Sequence, residues 1–207
     1  MRNGYEKNTI NFSSHVSSYI FLEVQKAKAS VDQVEYKTAE NIDFDKNDVF
    51  VVLIEENRLD INKSIYAVYE RKEIEKFEND SFNTLGEDEG FTTYSAKKSP
   101  TNFSNYYSSG SWITRSGKIS LSLYPKNFAY AKPSNAIVRA HYVKYKWDTV
   151  YNKYKNNSRW KNTASMKAQL NCHADYAKGL KTPWNLEPWR KQTNYAIVLR
   201  YTCNAPN

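Results

Sequence analysis

The residue types that could carry out chemistry are concentrated in one stretch, Trp160–Arg190. It contains His173 and Glu187, together with three of the five tryptophans of the chain. A histidine and a carboxylate held close together can act as general acid and general base. With Arg190 stabilising a phosphate, such a pair could cleave a polyanion such as RNA without a metal ion.

The same residues also fit a purely structural role. His173 and Asp175 are two positions apart on a predicted helix, so their side chains point in different directions. Glu187 lies in a separate segment and is free to approach His173, but it could equally pair with Arg190. In that case these residues would hold the segment Pro183–Pro188 against the helix, and this is the interpretation we favour.

Motifs for several other enzyme classes are missing. The three histidines, His15, His141 and His173, show no metal-ligand spacing. The acidic run Glu87–Glu89 is continuous, whereas the ligands of a calcium loop are spaced along the chain. Neither G-x-S-x-G nor a glycine-rich phosphate loop occurs. We therefore predict no metal and no cofactor.

The charge is distributed very unevenly along the chain. Residues 1–100 hold 13 Lys and Arg against 19 Asp and Glu, a net charge of −6. Residues 101–207 hold 17 Lys and Arg against 3 acids, Asp148, Asp175 and Glu187, a net charge of +14. This asymmetry favours a basic C-terminal domain with an anionic partner. The alternative is that the positive charge only keeps the protein soluble and serves no dedicated ligand.

A group of cations interleaved with Tyr and Trp is the predicted binding surface. Such a surface suits an anionic polymer, either nucleic acid or an anionic cell-wall polymer, because aromatic rings stack on bases and on sugars. The predicted binding residues are Arg139, Lys144, Lys146, Lys153, Lys155, Arg159 and Lys161.

The overall composition is that of a folded protein. Its 207 residues are 40% hydrophobic and 15% aromatic, enough to bury a core. No apolar run approaches the roughly 18 to 20 residues of a membrane helix. Residues 1–4 lead straight into polar sequence, so either the general export pathway is not used or a leader has been removed.

The N-terminal half is predicted to be rich in strands. Residues 5–30 fit a helix or a strand equally well, whereas 48–54 and 64–70 are β-branched runs that predict a small antiparallel sheet. Turn-forming residues are dense between about 79 and 110. We therefore predict an acidic region 1–95, a linker 96–110 and a basic domain 111–207.

The C-terminal half predicts a hairpin followed by two helices. Two alternating runs flank Ser116–Gly117, which is a hairpin signal. Residues 136–145 fit a strand or the approach to a helix, and Trp147, Val150, Tyr151 and Tyr154 form a helical stripe. A second helix is predicted over 163–177, capped by residue 162 or 163 and ended by Gly179. Residues 194–203 close the chain as a strand or a short helix.

Cys172 and Cys203 are the only two cysteines. A disulfide between them would suit an exported protein, and two buried free thiols in a cytoplasmic protein are the alternative.

An ordered series of motifs spans about Gly110 to Asn207. The motifs are W-I-T-R-S-G-K-I-S-L-S-L-Y-P, M-K-A-Q-L-N-C-H-A-D-Y-A, T-P-W-N-L-E-P-W-R and C-N-A-P. As a set they resemble the bacterial domain-of-unknown-function 2599 family. Lys191 and Ala205 depart from the family pattern at two turns. The resemblance implies an exported bacterial protein, often from Gram-positive organisms, and supports pairing Cys172 with Cys203. It implies no activity.

Together these observations predict an α+β protein with a strand-rich N-terminal part and a disulfide-tied C-terminal domain of one hairpin and two helices. The predicted function is that of an exported or envelope-associated binding protein for an anionic polymer or surface. A toxin-like hydrolase or nuclease that uses His173 and Glu187 is the alternative.

Overall fold

A computed structural model describes residues 34–46, 48–83, 102–133, 135–178 and 180–207. Several sequence predictions concern residues outside these ranges. They are the ambiguous segment 5–30, most of the turn-rich region before residue 102, the acidic run Glu87–Glu89, and Gly179 as the end of a helix. These remain predictions.

The N-terminal part forms a three-stranded antiparallel sheet. Its strands are β1 (Glu35–Thr38), β2 (Val49–Glu55) and β3 (Ile65–Glu70), in the order β1-β3-β2. The two β-branched runs recognised in the sequence are the strands β2 and β3, and they pair with each other as predicted. Helix α1 (Arg71–Asn83) follows β3 directly.

A second antiparallel sheet lies in the C-terminal part. A four-residue helix α2 (Phe103–Tyr106) precedes β4 (Tyr107–Arg115) and β5 (Lys118–Pro125), and β5 also pairs with the short strand β6 (Trp184–Leu186). The hairpin turn has positive φ at both central residues, 47° at Ser116 and 73° at Gly117. Positive φ at both positions matches the right-handed twist of the strands, which confirms the predicted hairpin.

Three helices complete the C-terminal part: α3 (Ala136–Tyr154), α4 (Thr163–Tyr176) and α5 (Tyr195–Arg200). The Asn135 side chain caps α3 by accepting from the Val138 N–H at 3.1 Å, so residues 136–145 are helical rather than extended. The Asn194 side chain caps α5 in the same way. These caps satisfy amide donors that have no partner within the helix.

Three 3-10 helices connect these elements, at Ala39–Asn41, Ile61–Lys63 and Asn127–Tyr130. The first two lie beside the first sheet, and the third follows β5. The α+β fold class predicted from the sequence is confirmed.

Residues from both halves of the sequence build a common core. The shared cluster includes the following buried side chains: Ala39, Ile42, Phe44, Val51, Leu53, Tyr66, Ala168, Cys172, Tyr195, Val198, Leu199, Cys203 and Ala205. Tyr195 illustrates the arrangement, because its ring lies 5.4 Å from that of Phe44 and 5.2 Å from that of Tyr66. Residues 34–207 accordingly form one compact unit, although the sequence predicts a boundary near residues 96–110.

Polar contacts also connect the first sheet and α1 to the C-terminal helices. The Arg71 guanidinium donates two hydrogen bonds of 2.9 Å to the Asp148 carboxylate on α3. The hydroxyls of Tyr66 and Tyr176 share a hydrogen bond of 2.8 Å. Because a bidentate Arg–carboxylate pair fixes both distance and orientation, α1 and α3 are held in a defined register.

Candidate functional site

His173 lies in the interior of the protein. It projects from α4 and is fully buried, with its ring stacked on that of Trp184 of β6 at a centroid distance of 6.0 Å and an interplanar angle of 10°. Burial, and secondly the charge of Lys181, lower the pKa of His173 to about 3. The imidazole is therefore neutral at pH 7 and has no access to a substrate in solution.

Glu187 and Arg190 form an ion pair within residues 183–190, a segment that includes β6 and that we call the strap. Gln169 of α4 receives a 2.7 Å hydrogen bond from the Glu187 backbone N–H. Arg190 donates a second bond to the Ala205 carbonyl in the C-terminal tail. The pair therefore joins the strap to α4 and to the tail.

The three predicted catalytic residues thus occupy one region but do not form an acid–base pair. General acid–base catalysis requires the catalytic group to reach the proton that it transfers. His173 lies beneath Trp184, and the Glu187 carboxylate is held by Arg190. This geometry matches the structural role that the sequence analysis favoured.

Cys172 of α4 and Cys203 of the tail form a disulfide, with a Cα–Cα distance of 5.3 Å. Both residues are buried, at 1% and 4% exposure. The predicted pairing is confirmed, and the bond fixes the tail against α4.

Three of the seven predicted binding cations are turned inward. Lys144 and Lys146 are each only 5% exposed, and the Arg139 guanidinium donates to the carbonyl oxygens of Leu53 and Pro133. Lys144 forms an ion pair with Asp148, with an Nζ–Oδ2 distance of 3.4 Å. These three side chains stabilise the packing around α3 and are not presented to a ligand.

The other four predicted binding cations are exposed. Lys153 lies in the last turn of α3, and Lys155, Arg159 and Lys161 lie in the connection to α4. We call these four residues the loop cations. The Lys153 ammonium lies 3.8 Å from the ring centroid of Phe103, and that of Lys155 lies 4.9 Å from the ring centroid of Tyr151. These cation–π contacts restrain the side chains at the surface.

The three acids of residues 101–207 are all bound to internal partners. Asp148 accepts from Arg71 and Lys144, Glu187 pairs with Arg190, and the Asp175 carboxylate accepts from the Tyr195 hydroxyl at 2.8 Å. None of them is therefore available to neutralise the loop cations.

Lys167 on α4 is a buried cation that the sequence analysis did not identify. It is fully buried, donates to the Val49 carbonyl of β2, and has its ammonium 4.2 Å from the ring centroid of Phe50. Burial lowers its pKa to about 7. No local pattern distinguishes Lys167 from an exposed helical lysine, because its burial depends on β2, which lies more than a hundred residues earlier in the sequence.

The buried lysines predict that the protein becomes more stable as the pH rises from 7 to 9.5. Burial lowers the pKa of Lys146 to about 8, with Asp175 opposing and Lys132 reinforcing this shift. In this range the unfolded chain binds more protons than the folded one, since an ordinary lysine keeps its proton up to about pH 10.4. For Lys146 the gain between pH 8 and 9.5 is about 1 to 2 kcal/mol.

Urea unfolding at a series of pH values measures this gain. The variant Lys146→Met should show a smaller increase than the wild type, whereas Lys153→Met, at an exposed position of the same helix, should match the wild type. If the free energy of unfolding rose equally with pH in all three proteins, a lowered pKa at Lys146 would be contradicted. Measurements stop at pH 9.5, because ionisation of unfolded tyrosines destabilises the folded state above about pH 10.

The hairpin turn carries two further exposed cations that were not predicted to bind. Arg115 and Lys118 are cross-strand partners on either side of the Ser116–Gly117 turn. The signal present in the sequence was a pair of like charges across a predicted two-residue turn.

The described residues contain neither a metal-ligand cluster nor a helix suited to a membrane. Within the ranges that the structure covers, no three His, Cys, Asp or Glu side chains are grouped so that they could hold a metal ion. In the same ranges, no helix combines the length and the apolar character needed to cross a membrane.

Comparison with known proteins gave one match. Residues 107–206 match the family model described as "Protein of unknown function (DUF2599)". The curated proteins contain no match to the chain, and neither do the solved structures. The matched range begins at β4 and includes the hairpin, α3, α4, the strap and both cysteines. The C-terminal part of the chain therefore matches the DUF2599 family, as its sequence motifs predicted.

Proposed function

We propose that this protein binds an anionic polymer or an anionic surface through its C-terminal part. The observation that carries the proposal is the contrast between the exposed loop cations and the three acids of the same part, all of which are bound to internal partners. A cationic surface without nearby carboxylates attracts polyanions and releases their counterions on binding.

The N-terminal part is not expected to contribute to this binding surface. Among the described residues 34–83, the cations Arg58, Lys63 and Lys72 each lie within 4 Å of a carboxylate of that part. These residues therefore offer no comparable cationic surface. A polyanion is expected to approach the loop cations and to be repelled by the acidic part.

We also propose that the protein works outside the cytoplasm. The support is the buried disulfide between Cys172 and Cys203, because disulfides persist mainly in oxidising compartments. The resemblance to exported bacterial proteins points in the same direction.

Retention on a heparin matrix tests the binding proposal. The wild type should elute late in a salt gradient, and the quadruple variant Lys153→Gln, Lys155→Gln, Arg159→Gln, Lys161→Gln should elute at a clearly lower salt concentration. Affinity for a polyanion falls steeply with salt in proportion to the number of ionic contacts, so losing four contacts should have a large effect.

A matched control removes the same charge elsewhere. The variant Arg58→Gln, Lys63→Gln, Lys72→Gln, Lys76→Gln has the same net charge as the loop variant and should elute near the wild type. Equal shifts in the two variants would show that only net charge matters, and absence of retention at low salt would refute the proposal.

A further inference from the structure

Two cations lie against the ring of Trp189 in the strap, one from the hairpin and one from the strap itself, and two further cations interact with them. The Lys118 ammonium lies 3.8 Å from the centroid of the Trp189 ring, and the Arg190 guanidinium carbon lies 4.1 Å from it. Arg115 faces Lys118 across the hairpin turn. The fourth cation, Lys181, lies in the connection between α4 and the strap. We call Arg115, Lys118, Lys181 and Arg190 the Trp189 cluster.

The members of the cluster interact electrostatically. Partial burial lowers the pKa of Lys181, and the charges of Arg115 and Arg190 lower it further, while Glu187 opposes them. The hairpin end and the strap therefore lie within electrostatic range of Lys181. Its ammonium is held in place by the Thr202 carbonyl and the Asn204 side chain, each at 3.3 Å.

Among the described residues, Glu187 is the carboxylate that acts on Lys181, and it is already paired with Arg190. The cluster therefore keeps an excess of positive charge over this carboxylate. Like charges directly opposite each other across a hairpin, as at Arg115 and Lys118, destabilise the pairing. An arrangement that costs stability in this way is expected mainly where a ligand supplies the missing charge.

We propose that the Trp189 cluster binds the phosphate group of a phosphate monoester. Four cations and one carboxylate leave a net charge of +3, more than a single carboxylate ligand can neutralise. A phosphate monoester carries about −1.5 to −2 charges at pH 7 and offers three strong acceptor oxygens. Guanidinium and ammonium groups are the usual donors to such an anion.

Trp189 has a positioning role in this site. Its ring already carries the Lys118 ammonium and the Arg190 guanidinium, so it orders two cations. The ligand is therefore recognised through its charge and its oxygens. The site goes beyond the proposed polymer-binding surface, because it holds one phosphate group rather than a chain of charges.

Isothermal titration with glycerol 1-phosphate tests the proposal, with glycerate as the matched carboxylate. The wild type should bind the phosphate at least tenfold more tightly than glycerate. Its affinity should fall between pH 7.5 and 5, because the monoester loses its second charge around pH 6. The double variant Arg115→Gln, Lys118→Gln should lose at least tenfold in affinity for the phosphate.

The control Arg58→Gln, Lys63→Gln removes two cations of the N-terminal part and should bind glycerol 1-phosphate like the wild type. Equal affinities for phosphate and glycerate, or equal losses in the two double variants, would overturn the proposal, as would absence of phosphate binding by the wild type. These outcomes are independent of heparin retention, so either proposal can fail while the other stands. Circular dichroism of each variant confirms that it is folded.

Discussion

A fragment of residues 102–207, which contains the whole family domain, should fail to unfold cooperatively in urea, although the complete chain does. The fragment keeps α3, α4, α5 and the disulfide, but it lacks the part of the common core contributed by the first sheet. Tyr195 loses its contacts with Phe44 and Tyr66, and Cys203 and Leu199 become exposed.

The size of this effect follows from the side chains involved. Each large apolar side chain that becomes exposed costs about 1.5 to 3 kcal/mol. The buried members contributed by residues 34–83 include Ile42, Phe44, Val51, Leu53 and Tyr66. Without them, the apolar surface that they cover in the C-terminal part becomes exposed, at a cost comparable to the whole stability of an ordinary domain, about 5 to 15 kcal/mol. Asp148 and Lys167 would in addition lose Arg71 and the Val49 carbonyl.

Near-ultraviolet circular dichroism and urea titration of three proteins test this expectation: the complete chain, residues 34–207 and residues 102–207. The first two should show one sharp transition and ordered aromatic signals, whereas the third should show a gradual change and weak aromatic signals. A sharp transition in the 102–207 fragment would show that the family domain folds without the first sheet, provided that its unfolding free energy falls with urea concentration at a slope proportionate to its size.

Local sequence patterns predicted the elements of this fold well. The strands β2 and β3 were recognisable as runs rich in β-branched residues, β2 being bounded by charged residues, and the hairpin because a Ser-Gly pair separates two alternating runs. In the predicted helical stripe, Trp147, Val150 and Tyr154 are buried as expected, whereas Tyr151 is only half-buried. Such signals arise within about ten residues of the chain and do not depend on what packs against them.

What the sequence did not predict depends on contacts between distant segments. Lys144 and Lys146 were expected at the surface, but α3 packs against several elements and buries most of its circumference. The strand β6 is only three residues long, and its pairing with β5 has no local signature. The sharp change in charge near residue 100 resembles a domain boundary, yet the described residues on both sides share one core.

The candidate site shows the same division. The residue types around His173, Glu187 and Arg190 were correctly located on a helix and a strap, but burial under Trp184 decides what His173 can do. Burial of that ring depends on a strand that begins eleven positions later in the chain. The residue types can therefore suggest a catalytic pair, but only the packing determines whether its members reach a substrate.

Removing the disulfide should lower the free energy of unfolding by about 3 to 4 kcal/mol, because it closes a loop with a sequence separation of 31 residues. The double variant Cys172→Ala, Cys203→Ala should show this loss in urea unfolding. Both cysteines are buried in the shared core, so the tail that carries Cys203, and with it the Ala205 carbonyl that accepts from Arg190, depends on the bond for its position.

Reduction provides the control for this variant. A thiol reductant should lower the urea midpoint of the wild type toward that of the double variant, and should leave the double variant unchanged. A double variant as stable as the oxidised wild type would contradict the expectation. A loss of 3 to 4 kcal/mol raises the unfolded fraction several hundredfold, since each 1.4 kcal/mol is a factor of about ten. A protein that depends on one bond to this extent is suited to an oxidising compartment, which is the physical argument for export.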